Sequence, residues 1–180
     1  RMVSLLSFMD HSPGQGQYPT VEDLQAYMEK TYHLPISRLE QLLRKQEQGR
    51  ARCGSTIETL ARAALSNEIP LASHDDDSPE KVDFFINHGV TINEFPINQE
   101  AARQAHSIGN YVCVGAPNVI RGGSSGKAMR ALDAIQSGHA NIICSDYYPP
   151  SILHAVFKLA EDIMTLPEAV NMATLKPAPR

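Results

Sequence analysis

The sequence predicts an α/β fold of about five parallel strands joined through helices. Three observations carry this. Short apolar runs rich in Val and Ile occur at residues 2–9, 69–73, 90–95, 111–116 and 140–145, each of strand length. Stretches with helix-capping residues alternate with them. The intervals between runs are long enough for crossover connections, which parallel neighbours require.

The first run opens the chain at Arg1 and Met2 and leads into Asp10-His11. Beginning on a strand and ending over 171–180 in proline-broken coil, the chain reads as an internal piece of something longer. Residues 18–52 read as a polar helical insertion or lid, with helices expected over 20–32 and 37–48. The second offers Ser37 and Glu40 as a capping box but only Leu39, Leu42 and Leu43 as a narrow apolar stripe. Ser55-Thr56-Ile57-Glu58 fits another capping box, opening a helix through residue 65. Ser78-Pro79-Glu80 supplies an N-cap, a first-turn proline and an early acid for a helix to about residue 88, which Gly89 stops. Helices over 98–108 and 125–137 end at Gly109 and Gly138. The last, over 149–164, places Ile152, Val156, Leu159 and Ile163 near helical spacing.

With 16 Lys+Arg against 20 Asp+Glu, the net charge is −4 and no basic run of five residues occurs. A duplex-neutralising surface is therefore not expected, and nucleic acid is not an expected partner. No apolar stretch approaches the roughly 20 residues that span a bilayer, so a soluble, cytoplasmic protein is expected. Of the three cysteines, Cys113 and Cys144 sit inside apolar runs and read as small buried hydrophobes. Cys53, beside Gly54, reads as part of a turn, and no CxxC pair supports a zinc knuckle.

Chemistry is expected where strands end. The runs lead into Asp10-His11, His74-Asp75-Asp76-Asp77, Glu94, Pro117-Asn118-Val119-Ile120-Arg121 and Asp146-Tyr147. In a parallel α/β fold these positions share the carboxyl edge, where active sites are built. A lone histidine at a strand end is more often a hydrogen-bonded structural residue than a ligand; convergence of His11, His74 and an aspartate changes the odds. That set suits a divalent metal with mixed N/O ligands, and such a metal lowers the pKa of bound water towards about 7, which implies hydrolysis. Asp75, Asp76 and Glu94 are expected behind the ligands, orienting or charging them, while Asp77 helps Ser78 begin its helix. His33, His88, His106, His139 and His154 lie in helices or turns and are left out, and neither H-x-H nor H-E-x-x-H occurs.

Arg121-Gly122-Gly123-Ser124-Ser125-Gly126-Lys127 reads as a glycine-rich loop leading into a helix. It can offer backbone N–H groups and two cationic side chains to an anion, although a plain turn fits as well. It is not a Walker A loop, because Arg121 and Ala128 stand where that motif needs glycine and Ser or Thr.

Several segments in series, Ser7-Phe8-Met9-Asp10-His11-Ser12-Pro13-Gly14-Gln15, Ala72-Ser73-His74-Asp75-Asp76, Glu94-Phe95-Pro96, Gly115-Ala116-Pro117-Asn118 with Arg121-Gly122-Gly123-Ser124, and Ser145-Asp146-Tyr147-Tyr148-Pro149, resemble the phosphonate-metabolism amidohydrolases of the carbon–phosphorus lyase pathway. The resemblance implies the later part of an amidohydrolase-type (β/α)8 TIM barrel, since a whole barrel needs about 250 residues. It implies a divalent metal, commonly zinc, bound by His11, His74 and Asp146, with Asp146 also taking the proton of the attacking water. It further implies attack on the alpha-phosphorus of a ribose 5-triphosphate with loss of diphosphate. Arg121, Asn118, Ser124, Lys127 and Tyr147 are the expected substrate contacts, Lys127 by inference from the loop and not from a family motif. Two departures stand out: Gly16 occupies the place of an expected arginine, and no histidine appears near Ser124-Ser125.

Two other readings stay open at this point. One is an amidohydrolase acting on a C–N bond, which the metal-ligand set alone does not exclude. The other is a non-catalytic assembly module of a phosphonate-metabolism complex, favoured by an exposed sheet edge. Arg121 with its loop speaks for an anionic phosphorylated sugar as substrate. The remaining expected partners are further copies of the chain or other proteins of that pathway; a membrane is not among them.

Overall fold

A computed structural model describes residues 3–9, 20–33, 53–123 and 128–177. Five strands, β1 (Leu6–Phe8), β2 (Leu71–His74), β3 (Ile92–Glu94), β4 (Tyr111–Gly115) and β5 (Ile142–Cys144), form one sheet in chain order. Every neighbouring pair is parallel. All five expected runs are therefore strands, each shorter than its apolar run because the ladder ends where a turn or helix takes over the backbone hydrogen bonds.

The described helices are α1 (Val21–Tyr32), α2 (Cys53–Ser66), α3 (Pro79–Ile86), α4 (Gln99–Ser107), α5 (Ala116–Arg121), α6 (Ala131–Gln136), α7 (Ser151–Asp162) and α8 (Leu166–Ala173). The cap of α3 is as expected, Ser78 Oγ accepting from Lys81 N, and α4 is capped by Asn98 Oδ1, which accepts from Ala101 N. The second insertion helix, expected over 37–48, lies outside the described residues.

Four expectations are corrected. Cys53 is not in a turn but begins α2. The residues after β4, to which the sequence assigned no element, form α5, with Pro117 in its first turn, where a missing N–H costs nothing. Of the helix expected over 125–137, the described part from residue 128 on is helical only from Ala131, because Arg130 is extended at ψ 130°. At the described start of the glycine-rich segment, Gly122 closes α5 as a left-handed cap at φ 71°. Lastly, Thr165-Leu166-Pro167-Glu168 starts an unforeseen helix, α8, with a capping box.

Register divides the sheet into two faces. Phe8, Leu71, Val112, Val114 and Ile143 point to the helices and join two apolar clusters. One gathers Ala61, Ala64 and Phe85 of α2 and α3; the other gathers Val82, Val119, Ala155, Leu159 and Met172 with the alanines of α4. The opposite face carries Ser7, His74, Glu94 and Cys144, all half-buried. Burial on both faces, expected from the unbroken apolar runs, holds for β2, β4 and β5, where Ala72, Cys113 and Ile142 are buried on this second face as well. No helix among them is long and apolar enough to cross a membrane.

Candidate active site

His74 is the last residue of β2 and lies level with Glu94 on β3, which in turn lies level with Cys113 on β4. The chain then turns sharply. Asp75, Phe95 and Asp146 have φ of 53°, 54° and 53°, so three of the five positive-φ residues other than glycine among the described residues stand just beyond β2, β3 and β5. Such left-handed backbone is costly for a side-chain-bearing residue and collects at functional turns.

These turns enclose a cavity of about 120 Å³. His74, Asp75, Asn118, Arg121 and Asp146 line it together with Phe95, Pro96, Gly115 and Met129. The Phe95 ring sits 5.0 Å from the His74 ring, tilted by 55°. Gly115 keeps space beside the carboxylate: a Cβ there would lie 3.3 Å from Phe95 Cε1 and 3.7 Å from Asp146 Oδ2.

His74 Nδ1 lies 3.2 Å from Asp75 Oδ2, within ion-pair reach. Burial favours neutral imidazole, but the Asp75 contact and the charges of Asp75, Glu94 and Asp76 outweigh it, and the His74 pKa is raised above the ordinary histidine value. Glu94 does not line the cavity; its Oε2 accepts from Ser7 Oγ at 2.5 Å, bridging β3 to β1. Asp76 is fully buried on the helix side of the sheet and is likewise outside the cavity.

Arg121, in the last turn of α5, donates to the Tyr147 hydroxyl at 2.6 Å, and Tyr147 is largely exposed. The α5 carboxyl end is capped by two other cations: Lys158 Nζ donates to Ile120 O and Arg130 Nε to Gly122 O. Asn118 serves as scaffold. Its Nδ2 donates to Met129 O and its Oδ1 accepts from Ala131 N, so both ends of the amide hold the 129–131 segment. Of the expected site residues, His11, Ser124 and Lys127 lie outside the described residues.

Two contributors escaped the sequence reading. Phe95 forms a wall of the cavity, and Lys81 Nζ donates to the carbonyls of His74 (3.4 Å) and Asp75 (2.9 Å) from α3. A helical lysine ordinarily reads as solvated, and nothing in the sequence singled it out. The expected buried cysteines also do more than fill space. The Cys113 thiol is buried and Cys144 half-buried. Their mutual hydrogen bond pushes the Cys113 pKa up and the Cys144 pKa down.

An imidazole and a carboxylate lining one cavity are the donor chemistry of a mixed N/O divalent site. Among the described residues no group of three or more His, Cys, Asp or Glu side chains gathers closely enough to hold an ion.

No family model matches the chain, and no solved structure matches it. Over 180 residues, 98% of this chain, it is 39% identical to alpha-D-ribose 1-methylphosphonate 5-triphosphate diphosphatase of Escherichia coli (strain K12). The resemblance suggested by the motif series thus runs along nearly the whole chain, which spans 48% of that diphosphatase.

Proposed function

We propose that this chain carries part of the active site of a metal-dependent hydrolase that releases diphosphate from alpha-D-ribose 1-methylphosphonate 5-triphosphate, on the later strands of an amidohydrolase-type (β/α)8 barrel. The observation that carries the reading is that His74, Asp146 and Arg121, from three separate connections, line one cavity at the carboxyl edge of the sheet. The 39% identity supplies the substrate class.

The charges favour a cation. Asp75 and Asp146 share the cavity with a guanidinium that would meet an anionic substrate. A phosphate brought beside two carboxylates needs positive charge between them. His74 and Asp146 would hold a divalent ion, commonly zinc, with His11 as a further ligand. Such an ion supplies Lewis acidity that activates water and neutralises phosphate charge.

The residues divide the remaining work. Arg121 binds phosphate oxygens, where a planar fork of donors suits the ligand. Phe95 and Met129 exclude water from one wall. The Asp146 carboxylate accepts the proton of the attacking water. The new bond forms from water oxygen to the alpha-phosphorus, the bond to the bridging oxygen breaks, and diphosphate leaves with the electron pair while the sugar keeps a 5-phosphate.

The test is diphosphate release by the intact protein in ¹⁸O-labelled water. Label is expected in the sugar 5-phosphate and not in diphosphate. His74→Ala and Asp146→Asn are expected to lose about 10²–10⁴ of the rate, the usual worth of a positioned proton acceptor, with bound metal reduced in His74→Ala. Undiminished turnover in both variants would refute the assignment. Turnover confined to a cyclic amide substrate would move the reaction to a C–N bond.

A further inference from the structure

We propose that Asp76 is a positioning residue: from the far side of the sheet, together with Ser73 and Asn93, it locks the turn that sets the His74 imidazole through Asp75. This deepens the reading of His74 as a metal ligand and rests on it for its catalytic meaning.

The network lies wholly on the helix side. Asp76 Oδ2 accepts from Ser73 Oγ (2.6 Å) and Asn93 Nδ2 (2.9 Å), and Asn93 Nδ2 also reaches Ser73 Oγ at 2.9 Å. Asn93 Oδ1 accepts in turn from Asn110 Nδ2 at 2.9 Å. Ser73, Asp76 and Asn93 are all fully buried. Ser73 and Asn93 are register partners on β2 and β3, so the Asp76 carboxylate staples the two strands one step before their tips.

Those tips carry His74 and Glu94 on the opposite face. Between His74 and Asp76 stands Asp75, in left-handed backbone, with its N–H donated to Glu94 O at 3.0 Å. The carbonyls of the turn are held as well: Lys81 takes those of His74 and Asp75, Ile97 N takes that of Asp76, and Asn98 Nδ2 takes that of Asp77. A turn fixed at every carbonyl sets the direction of the Asp75 Cα–Cβ bond, and the carboxylate lies 3.2 Å from His74 Nδ1. Fixing a proton on Nδ1 makes Nε2 the electron-pair donor of the ring.

The second buried oxygen, Asp76 Oδ1, has no hydrogen-bond partner among the described residues. An orphaned buried carboxylate oxygen is a poor device for stability, and a neutral side chain could knit β2 to β3 at lower cost. Its placement beside the turn that carries His74 gives the carboxylate a geometric role there.

The experiment reads the His74 ring directly. Long-range ¹H–¹⁵N spectra of the metal-free intact protein, with His74 assigned by His74→Gln, are expected to show one tautomer protonated at Nδ1. Asp76→Ala and Asn93→Ala are expected to give mixed tautomers with the amide fingerprint kept, and to lower zinc affinity and kcat about 10- to 100-fold, the usual effect of removing an outer partner of a metal-bound histidine. Asp76→Asn keeps an acceptor for Ser73 and Asn93 and is expected to restore the single tautomer. Ser73→Ala, which removes one donor and leaves the carboxylate in place, covers the case in which Asp76→Ala does not fold. An unchanged single tautomer in folded Asp76→Ala or Ser73→Ala overturns the proposal, as does a mixture in the wild type. If the tautomer follows Asp76 while the wild type neither binds a divalent ion nor releases diphosphate, positioning stands and the hydrolase reading fails.

Discussion

The Arg121 guanidinium donates to the Tyr147 hydroxyl at 2.6 Å, tying the end of α5 to the turn after β5. Arg121 lines the cavity while Tyr147 does not, so the phenol sets the direction of the cation from outside. For the proposed substrate, Arg121→Ala is expected to raise KM about ten- to a hundredfold, from the roughly 1.5–3 kcal/mol of a hydrogen bond to a charged group. Tyr147→Phe keeps the cation and is expected to change KM by less than about threefold, since an exposed contact contributes little. Steady-state kinetics on both variants decides this; equal effects would remove the ranking.

Gly115 serves the cavity by having no side chain. In Gly115→Ala the new methyl meets Phe95 Cε1 at 3.3 Å, so the ring must give by a few tenths of an ångström. Gly115→Val has no such escape and is expected to cut kcat/KM about tenfold or more, because sites respond steeply to small displacements. Overpacking is expected to cost about 1–3 kcal/mol of stability. Activity and denaturant unfolding measured side by side check it: equal activity in Val and wild type would show that Phe95 does not bound the reacting region.

Ser78 holds the start of α3, the helix that carries Lys81 to the turn after β2. Ser78→Ala removes the acceptor for Lys81 N and is expected to cost about 0.5–2 kcal/mol, read as a lower urea midpoint with unchanged slope. Thr at this position is expected to recover most of the loss.

Burial lowers the His139 pKa, helped by the charges of His106 and Arg103. Because the folded value lies below the unfolded one, the stability tied to this group is whole above the ordinary histidine value of 6.5. It is lost as pH falls from there through the lowered value, the unfolded chain taking up the proton first. Arg103→Gln is expected to raise the His139 pKa and soften the acid-side loss. An NMR titration of Arg103→Gln in which His139 does not move would leave burial and His106 as the causes of the shift.

The strands were legible because each is a Val- or Ile-rich run bounded by turn or cap residues, and register follows once the crossovers make them parallel. The convergence of His74, Asp146 and Arg121 was legible for the same reason: strand ends in a parallel sheet share an edge. Helix α5 was not, since it follows its strand with no capping side chain to mark its start, and its buried Val119 joins a core that spacing does not reveal. The side on which Asp76 lies was missed as well. Three aspartates in a row look like one acidic cluster, yet the left-handed turn at Asp75 sends its neighbour through to the buried face. The scaffold role of Asn118 depends on a segment far along the chain, which spacing does not reveal.

The backbone at Asp75 and Asp146 would be more comfortable as glycine, by about 1 kcal/mol at each position; at Phe95 the loss of a packed ring outweighs that gain. Robustness and catalytic power therefore pull apart at those two aspartates. Libraries screened for heat tolerance alone are expected to collect glycine or asparagine there and return sturdy proteins with slow turnover, whereas screens that keep a catalytic requirement should leave both untouched and find their gains elsewhere.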